Sequence, residues 1–180
     1  MCEMQLVGSL TFLACLIMLE CKRSLFGHHW NIKQFVNTTA PVWTYLTSEM
    51  TNIECKVDVY VLLTVESVEF LRSYYRSEEK FSYRLLAKFD SLRKKRMIIS
   101  SPGGTLKQTE DIVYISRDLA CAVVKITTPT NGLKKTYDLR IRDSAIQVRP
   151  QSKCMEHFRW KAGRQGHLLY RDYCRSLPRT

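Results

Sequence analysis

Cysteine is the residue type with the most chemical potential in this 180-residue chain, and its seven copies fall into two groups. Cys2, Cys15 and Cys21 lie in or beside a leading apolar stretch, whereas Cys55, Cys121, Cys154 and Cys174 are spread through the remainder. In an oxidising compartment an even set of four forms two bridges, and four cysteines admit three pairings. Thiols committed to bridges leave no thiolate nucleophile. The histidines offer no substitute. His28 and His29 open the main body without a nearby cysteine or carboxylate, so a solvated pair is expected rather than a metal site. His157 and His167 sit in the cysteine-bearing tail, where surface hydrogen bonding is expected. No HExxH, GxSxG, Walker or GxGxxG pattern occurs. These residues describe a binding protein, not an enzyme, with no metal or cofactor.

The leading stretch has its own physical meaning. Leu6 to Leu19 is apolar on all sides, short for a bilayer span and the length of a secretory-signal core. Cleavage is expected after Cys21, before Lys22-Arg23, which divides the chain into a signal peptide over 1–21 and one domain over 22–180. The cut discards three cysteines and keeps the even set of four. Asn37-Thr38-Thr39 is an N-glycosylation sequon, consistent with export at Asn37. Secretion to the extracellular space is the expected destination.

The formal charge is +11, and the loss of Glu3 and Glu20 with the signal makes the mature chain more basic still. Inside a cell such a balance, with the run Arg93-Lys94-Lys95-Arg96, would suggest nucleic acid. For an exported chain a solvated basic turn or a patch for anionic cell-surface polymers is expected instead, with no nucleic-acid or membrane partner and a monomeric state. Apolar residues make up 45% of the chain and charged residues 25%, which suits a chain with a real core.

The elements that must position any site are mostly strands. Asn31 to Val36 has the length of a short helix, and segments rich in β-branched and aromatic residues then recur at short intervals. The expected strands are Val42–Thr47, Ile53–Thr64, Val68–Arg76, Lys80–Phe89, Arg96–Ser100, Ile112–Ser116, Ala120–Thr128 and Lys135–Arg142. Turn signals stand at Asn52, Gly103-Gly104, Arg117-Asp118 and Asn131-Gly132, the last being a hairpin signal. Lys153 to Trp160 follows as a second helix. Eight short antiparallel strands point to an all-β, up-and-down barrel, because closure removes the exposed edges of an open sheet.

Alternation along the strands suggests what faces the interior. Phe81, Tyr83, Leu85, Ala87 and Phe89 share one face of the fourth strand, while Ser82, Arg84, Lys88 and Asp90 share the other. Trp43 with Tyr45, and Phe70 with Tyr74, are spaced to share an interior face. Each aromatic alone is ordinary core. Taken together, Trp43, Tyr45, Phe70, Tyr74, Tyr83, Phe89 and Tyr114 make a ligand pocket plausible inside an eight-stranded barrel.

Ile32-Lys33-Gln34-Phe35, Trp43-Thr44-Tyr45, Cys55-Lys56-Val57-Asp58, Cys121-Ala122-Val123, Tyr137-Asp138-Leu139-Arg140 leading to Cys154, and Tyr170 to Cys174 form an ordered set. In that order and spacing, Ile32 to Cys174 resembles the tick salivary lipocalins of the histamine-binding-protein family. The resemblance implies an eight-stranded lipocalin barrel with bridges Cys55–Cys174 and Cys121–Cys154. It also implies a scavenger of host mediators, either biogenic amines such as histamine and serotonin or fatty-acid-derived leukotrienes, which serves evasion of host defence.

Two positions depart from the amine-binding members, which carry Asp directly after the cysteine matching Cys121 and a Glu-Leu-Trp/Tyr triplet before the next cysteine. Here Ala122 and Asp138-Leu139-Arg140 stand in those places. A buried ammonium needs carboxylates around it, so these changes bear directly on the ligand. If Asp138 faces inward, Arg140 and Arg142 share its face and offer a guanidinium to a carboxylate ligand. Hydrophobic patterning alone would instead turn Tyr137, Leu139 and Ile141 inward. The ligand class stays open between amine and eicosanoid at this stage. The alternative function is a basic interaction protein binding a host protein or sulfated polysaccharide through its outer surface.

Overall fold

The computed structural model describes residues 30–104, 107–129, 133–146, 152–163 and 166–176. The expected signal peptide, His28 and His29, and the Asn131-Gly132 turn lie outside the described residues. Helix α1 (Ile32–Val36) precedes eight antiparallel strands: β1 (Val42–Thr47), β2 (Ile53–Leu63), β3 (Ser67–Arg76), β4 (Glu79–Phe89), β5 (Arg96–Ser100), β6 (Lys107–Ile115), β7 (Cys121–Pro129) and β8 (Leu133–Arg142). Each strand pairs with the next, and β1 pairs with both β8 and β2, so the sheet closes on itself. Helix α2 (Ser152–Ala162) and the short strand β9 (His167–Leu168), which pairs with β1, follow the barrel.

Both predicted helices and all eight predicted strands are present, most of them displaced by no more than two residues at either end. The clear difference is β6, which starts at Lys107 and not at Ile112. Lys107 to Asp111 is polar throughout and carries no apolar alternation to read. The segment is nevertheless strand, because Glu110 is fully buried among interior cations while Asp111 pairs outside with Arg96 and Lys125.

The strands bury residues on two faces. One apolar cluster fills the interior at the end capped by α1, joining Ile32, Phe35 and Val36 to Val68, Phe70, Ile99 and Val124. A second cluster lies on the outer face of β1, β7 and β8, where α2 and the tail cover Trp43, Val123, Leu139 and Ile141 with Phe158 and Tyr170. The bridges fix that cover: Cys121–Cys154 ties α2 to β7, and Cys55–Cys174 ties the tail to β2. On the loop-entropy account they restrict the unfolded chain by about 4 and about 5 kcal/mol respectively. Cys55 takes a positive φ of 53° at a bulge in β2, an unusual conformation for a non-glycine residue. It turns outward to its partner, and its amide donates to the Leu169 carbonyl at 2.7 Å.

Gly166 packs the tail tightly against the helix. A Cβ there would lie 2.6 Å from the Phe158 ring and 2.9 Å from the Thr47 carbonyl oxygen. Gly166→Ala is expected to lower unfolding stability by roughly 1–3 kcal/mol, as overpacking of a filled site does. Urea titration checks this, with an unchanged midpoint as the contrary result.

Candidate functional site

Strand alternation delivers a set of charged side chains to the middle of the barrel. Lys56 and Asp58 from β2, Arg72 from β3, Glu110 from β6, and Asp138 and Arg140 from β8 meet across the interior. The guanidinium of Arg140 donates to both oxygens of Glu110 at 2.6 and 2.7 Å, and its Nη2 also donates to Asp138 at 3.4 Å. Arg72 forks onto Asp58 at 2.7 and 2.8 Å and reaches Glu110 at 3.1 Å. Lys56 Nζ donates to Asp138 at 3.0 Å, and Gln108 donates to Glu110 at 2.9 Å. Three cations therefore face three carboxylates, and the layer is neutral as a whole. Bidentate pairing supplies the geometry that buried ion pairs need to offset their desolvation.

The electrostatics follow from that pairing. Burial alone would raise the Glu110 carboxyl, yet Arg140 and Arg72 hold it well below the usual carboxylate range. Burial also opposes ionisation of Asp138, and Lys56 and Arg140, with a hydrogen bond from Thr47, outweigh it and lower its pKa. Burial would release the Arg140 proton, but Glu110 and Asp58 push its pKa well upward. Glu110, Asp138, Arg72 and Arg140 are all shifted toward their charged forms.

This layer floors a cavity of about 400 Å³ at the end of the barrel opposite α1. Lys56 and Arg72 form its base, Tyr74, Tyr83 and Leu85 its wall, and Arg76 with Glu49 part of its rim. Tyr74 stacks on Phe81 at 5.6 Å and on Tyr83 at 6.1 Å, while the Arg76 guanidinium lies 5.8 Å from the rings of Tyr74 and Phe81. Burial and a hydrogen bond with Tyr83 raise the Tyr74 pKa, so the Tyr74 phenol remains a protonated polar contact at the wall. The volume falls within the usual range of small-molecule pockets.

The residues singled out from sequence divide into four groups. Tyr74 and Tyr83 line the cavity, and Asp138 and Arg140 belong to the ionic layer beneath it. Phe70 lies below the layer, with Arg72 stacked 5.2 Å over its ring, and Phe89 lies at the α1 end under Lys33. Trp43, Tyr45 and Tyr114 do not face the interior, contrary to expectation. Trp43 donates to Asp143 at 2.7 Å and packs on Tyr170, Tyr45 stacks on the same tyrosine, and Tyr114 stacks on His157 at 3.9 Å. Their faces are buried because α2 and the tail cover the outside of the barrel, which period-two patterning cannot distinguish from burial inside.

For β8 the patterning alternative does not hold. Asp138 and Arg140 point into the barrel, and Leu139 and Ile141 lie under α2. Lys56, Asp58, Arg72, Gln108, Glu110 and Arg76 were not anticipated. Alternation held a signal for one of them, since Arg72 falls between Phe70 and Tyr74 on the same face.

No protein-family model and no curated protein sequence matches this chain. Solved structures do. AM182 in its serotonin complex superposes with a TM-score of 0.66 at 21% identity, over 85% of this chain and 97% of that one. The siderocalin Ex-FABP gives 0.55 at 13% identity, over 72% and 85%. Lipocalin 12 from rat epididymis gives 0.51 at 12% identity, over 81% and 87%.

Arg140→Met would leave Glu110 with Arg72 alone and the layer one positive charge short, and is expected to cost about 3–5 kcal/mol, with much of the loss recovered when Glu110→Leu is added, as measured by denaturant titration. Because folding depresses the Glu110 and Asp138 pKa values, their contribution is complete above the unfolded values near 4 and is lost as pH falls through the folded ones. The urea midpoint should accordingly hold from pH 7 to about 5 and fall below about 4; a midpoint that rises on acidification would contradict the assignment. A closed eight-stranded antiparallel barrel, a helix capping one end, a helix and tail bridged to its outer wall, and these superpositions together give this chain the lipocalin fold.

Proposed function

We propose that this chain is a secreted lipocalin that sequesters a small host mediator in the cavity above the ionic layer, and that the mediator is a fatty-acid-derived carboxylate such as a leukotriene. The observation that carries the reading is the charge count. Among the described residues each interior carboxylate is paired with an interior cation, so the layer holds no surplus negative charge for a protonated amine, and Arg76 adds an exposed cation at the rim. A carboxylate headgroup at Arg76, with its chain along Tyr74, Tyr83 and Leu85, satisfies both halves of such a molecule. No step of this reading requires chemistry on the ligand.

Secretion is supported by the apolar leader, by two closed bridges of the kind kept in oxidising compartments, and by the exposed position of Asn37, which suits a glycan. Blunting of host inflammation is the role that the resemblance to tick lipocalins suggests. The amine reading keeps one supporting observation, the serotonin bound by AM182.

Isothermal titration of the refolded protein with a leukotriene, serotonin and histamine separates the two. Saturable leukotriene binding, weakened roughly tenfold or more by Arg76→Ala, is expected for one charge-assisted contact. Binding of serotonin or histamine alone would replace the carboxylate reading with the amine one, and no saturable binding of any of the three would remove sequestration altogether.

A further inference from the structure

The end of the barrel opposite the cavity carries a surface that ligand storage does not use. Two loops meet there. The β2–β3 hairpin presents Val65 at 83% exposure, and the β4–β5 loop presents Leu92 at 92%. Both are held outward by built turns. Thr64 Oγ1 accepts from the amides of Glu66 and Ser67 at 3.2 and 2.9 Å, and the Asp90 carboxylate accepts from those of Leu92 and Arg93 at 2.9 and 3.0 Å. The loops are joined, since the Phe89 amide donates to the Glu66 carbonyl at 2.8 Å. The groove between them is lined by Lys33, Lys88 and Lys94, and Arg93 and Lys95 stand exposed on the same loop.

Isolated exposed aliphatics are ordinary on a protein surface. Two on adjoining rigid tips, ringed by five cations against the two acids Glu66 and Asp90, are a different arrangement. Small apolar side chains that enter the headgroup boundary, with lysines and arginines at its level, are the composition by which a protein rests on an anionic bilayer. A sulfated polysaccharide would use the cations and leave Val65 and Leu92 without a role. A second copy of the chain would need about 800 Å² of matched surface on each partner, which two projecting loop tips do not supply.

We infer that this end of the barrel, with Val65 and Leu92 at its tips and Lys33, Lys88 and Lys94 between them, docks on anionic phospholipid membranes. Asn37, one turn of α1 beyond Lys33, lines a separate groove against Val61 and Leu62. Among the described residues no helix is long and apolar enough to cross a membrane. The cavity mouth opens at the far end and stays in solution in this orientation. This proposal runs against the expectation of no membrane partner and is independent of which ligand the cavity holds.

The test is co-sedimentation of the full mature chain with phosphatidylcholine vesicles, with and without phosphatidylserine, at low and high salt. The expected result is binding only to the phosphatidylserine vesicles, reduced by salt and weakened tenfold or more in both Val65→Glu/Leu92→Glu and Lys94→Glu/Lys95→Glu. Each cation near such a surface is worth roughly fivefold in affinity. Lys135→Glu, exposed on β8 toward the open end, should lose far less, and unchanged far-ultraviolet circular dichroism shows that the variants fold. No binding to phosphatidylserine vesicles overturns the inference, as does binding equal in all variants. Retention on heparin without vesicle binding would assign the cations to a sulfated polymer and overturns it as well, and so would self-association abolished by Val65→Glu/Leu92→Glu.

Discussion

Charge neutrality inside the barrel is the condition on which the rest of this structure depends. Six ionisable side chains from β2, β3, β6 and β8 are withdrawn from water at one level of the cylinder, and an imbalance of one would leave a buried charge uncompensated. Arg140 is central because it touches all three carboxylates, two of them through hydrogen bonds and Asp58 at 3.6 Å. The layer separates the barrel into an apolar half, packed against α1, and an open half with a cavity. It also determines what that cavity meets at its base: cations whose charge is spent on partners below, and no free carboxylate.

The surrounding architecture makes such a layer tolerable. The apolar half and α1 seal it from one side, and the outer cover of α2 and the tail, fastened by two bridges, keeps the strands of β1, β7 and β8 buried on their second face. Burial on both faces gives β8 its mixed character, with Asp138 and Arg140 inward and Leu139 and Ile141 outward. A strand with one wet face would read as simple alternation; this one has an ionic face and an apolar face, both dry.

Much of the fold was legible in the sequence, and the reasons for the misses are physical. Strands such as Val42–Thr47 and Arg96–Ser100 announce themselves through β-branched and aromatic residues bounded by turn signals. The start of β6 did not, because Glu110 is an interior residue only in the presence of Arg72 and Arg140, which are distant in sequence. The hairpin at Ser77-Glu78 uses positive φ at both positions without glycine or asparagine, so its turn chemistry was also hidden. For the site, alternation placed Tyr74 and Tyr83 on inward faces, whereas Trp43, Tyr45 and Tyr114 pack beneath elements that only tertiary structure supplies. The family resemblance, not patterning, pointed to the inward face of Asp138 and to the pairing of the four cysteines.

The neutral layer requires its interior carboxylates to be ionised and matched. Carbon-detected NMR of the side-chain carboxyl shifts of Glu110 and Asp138 across an acid titration reads this directly. Both carboxyls are expected to titrate below the ordinary range of their residue type in the folded protein. A titration step at or above the ordinary carboxylate range, for either residue in the folded protein, would show an interior acid without its cation and contradict the neutral layer on which the proposed ligand class depends.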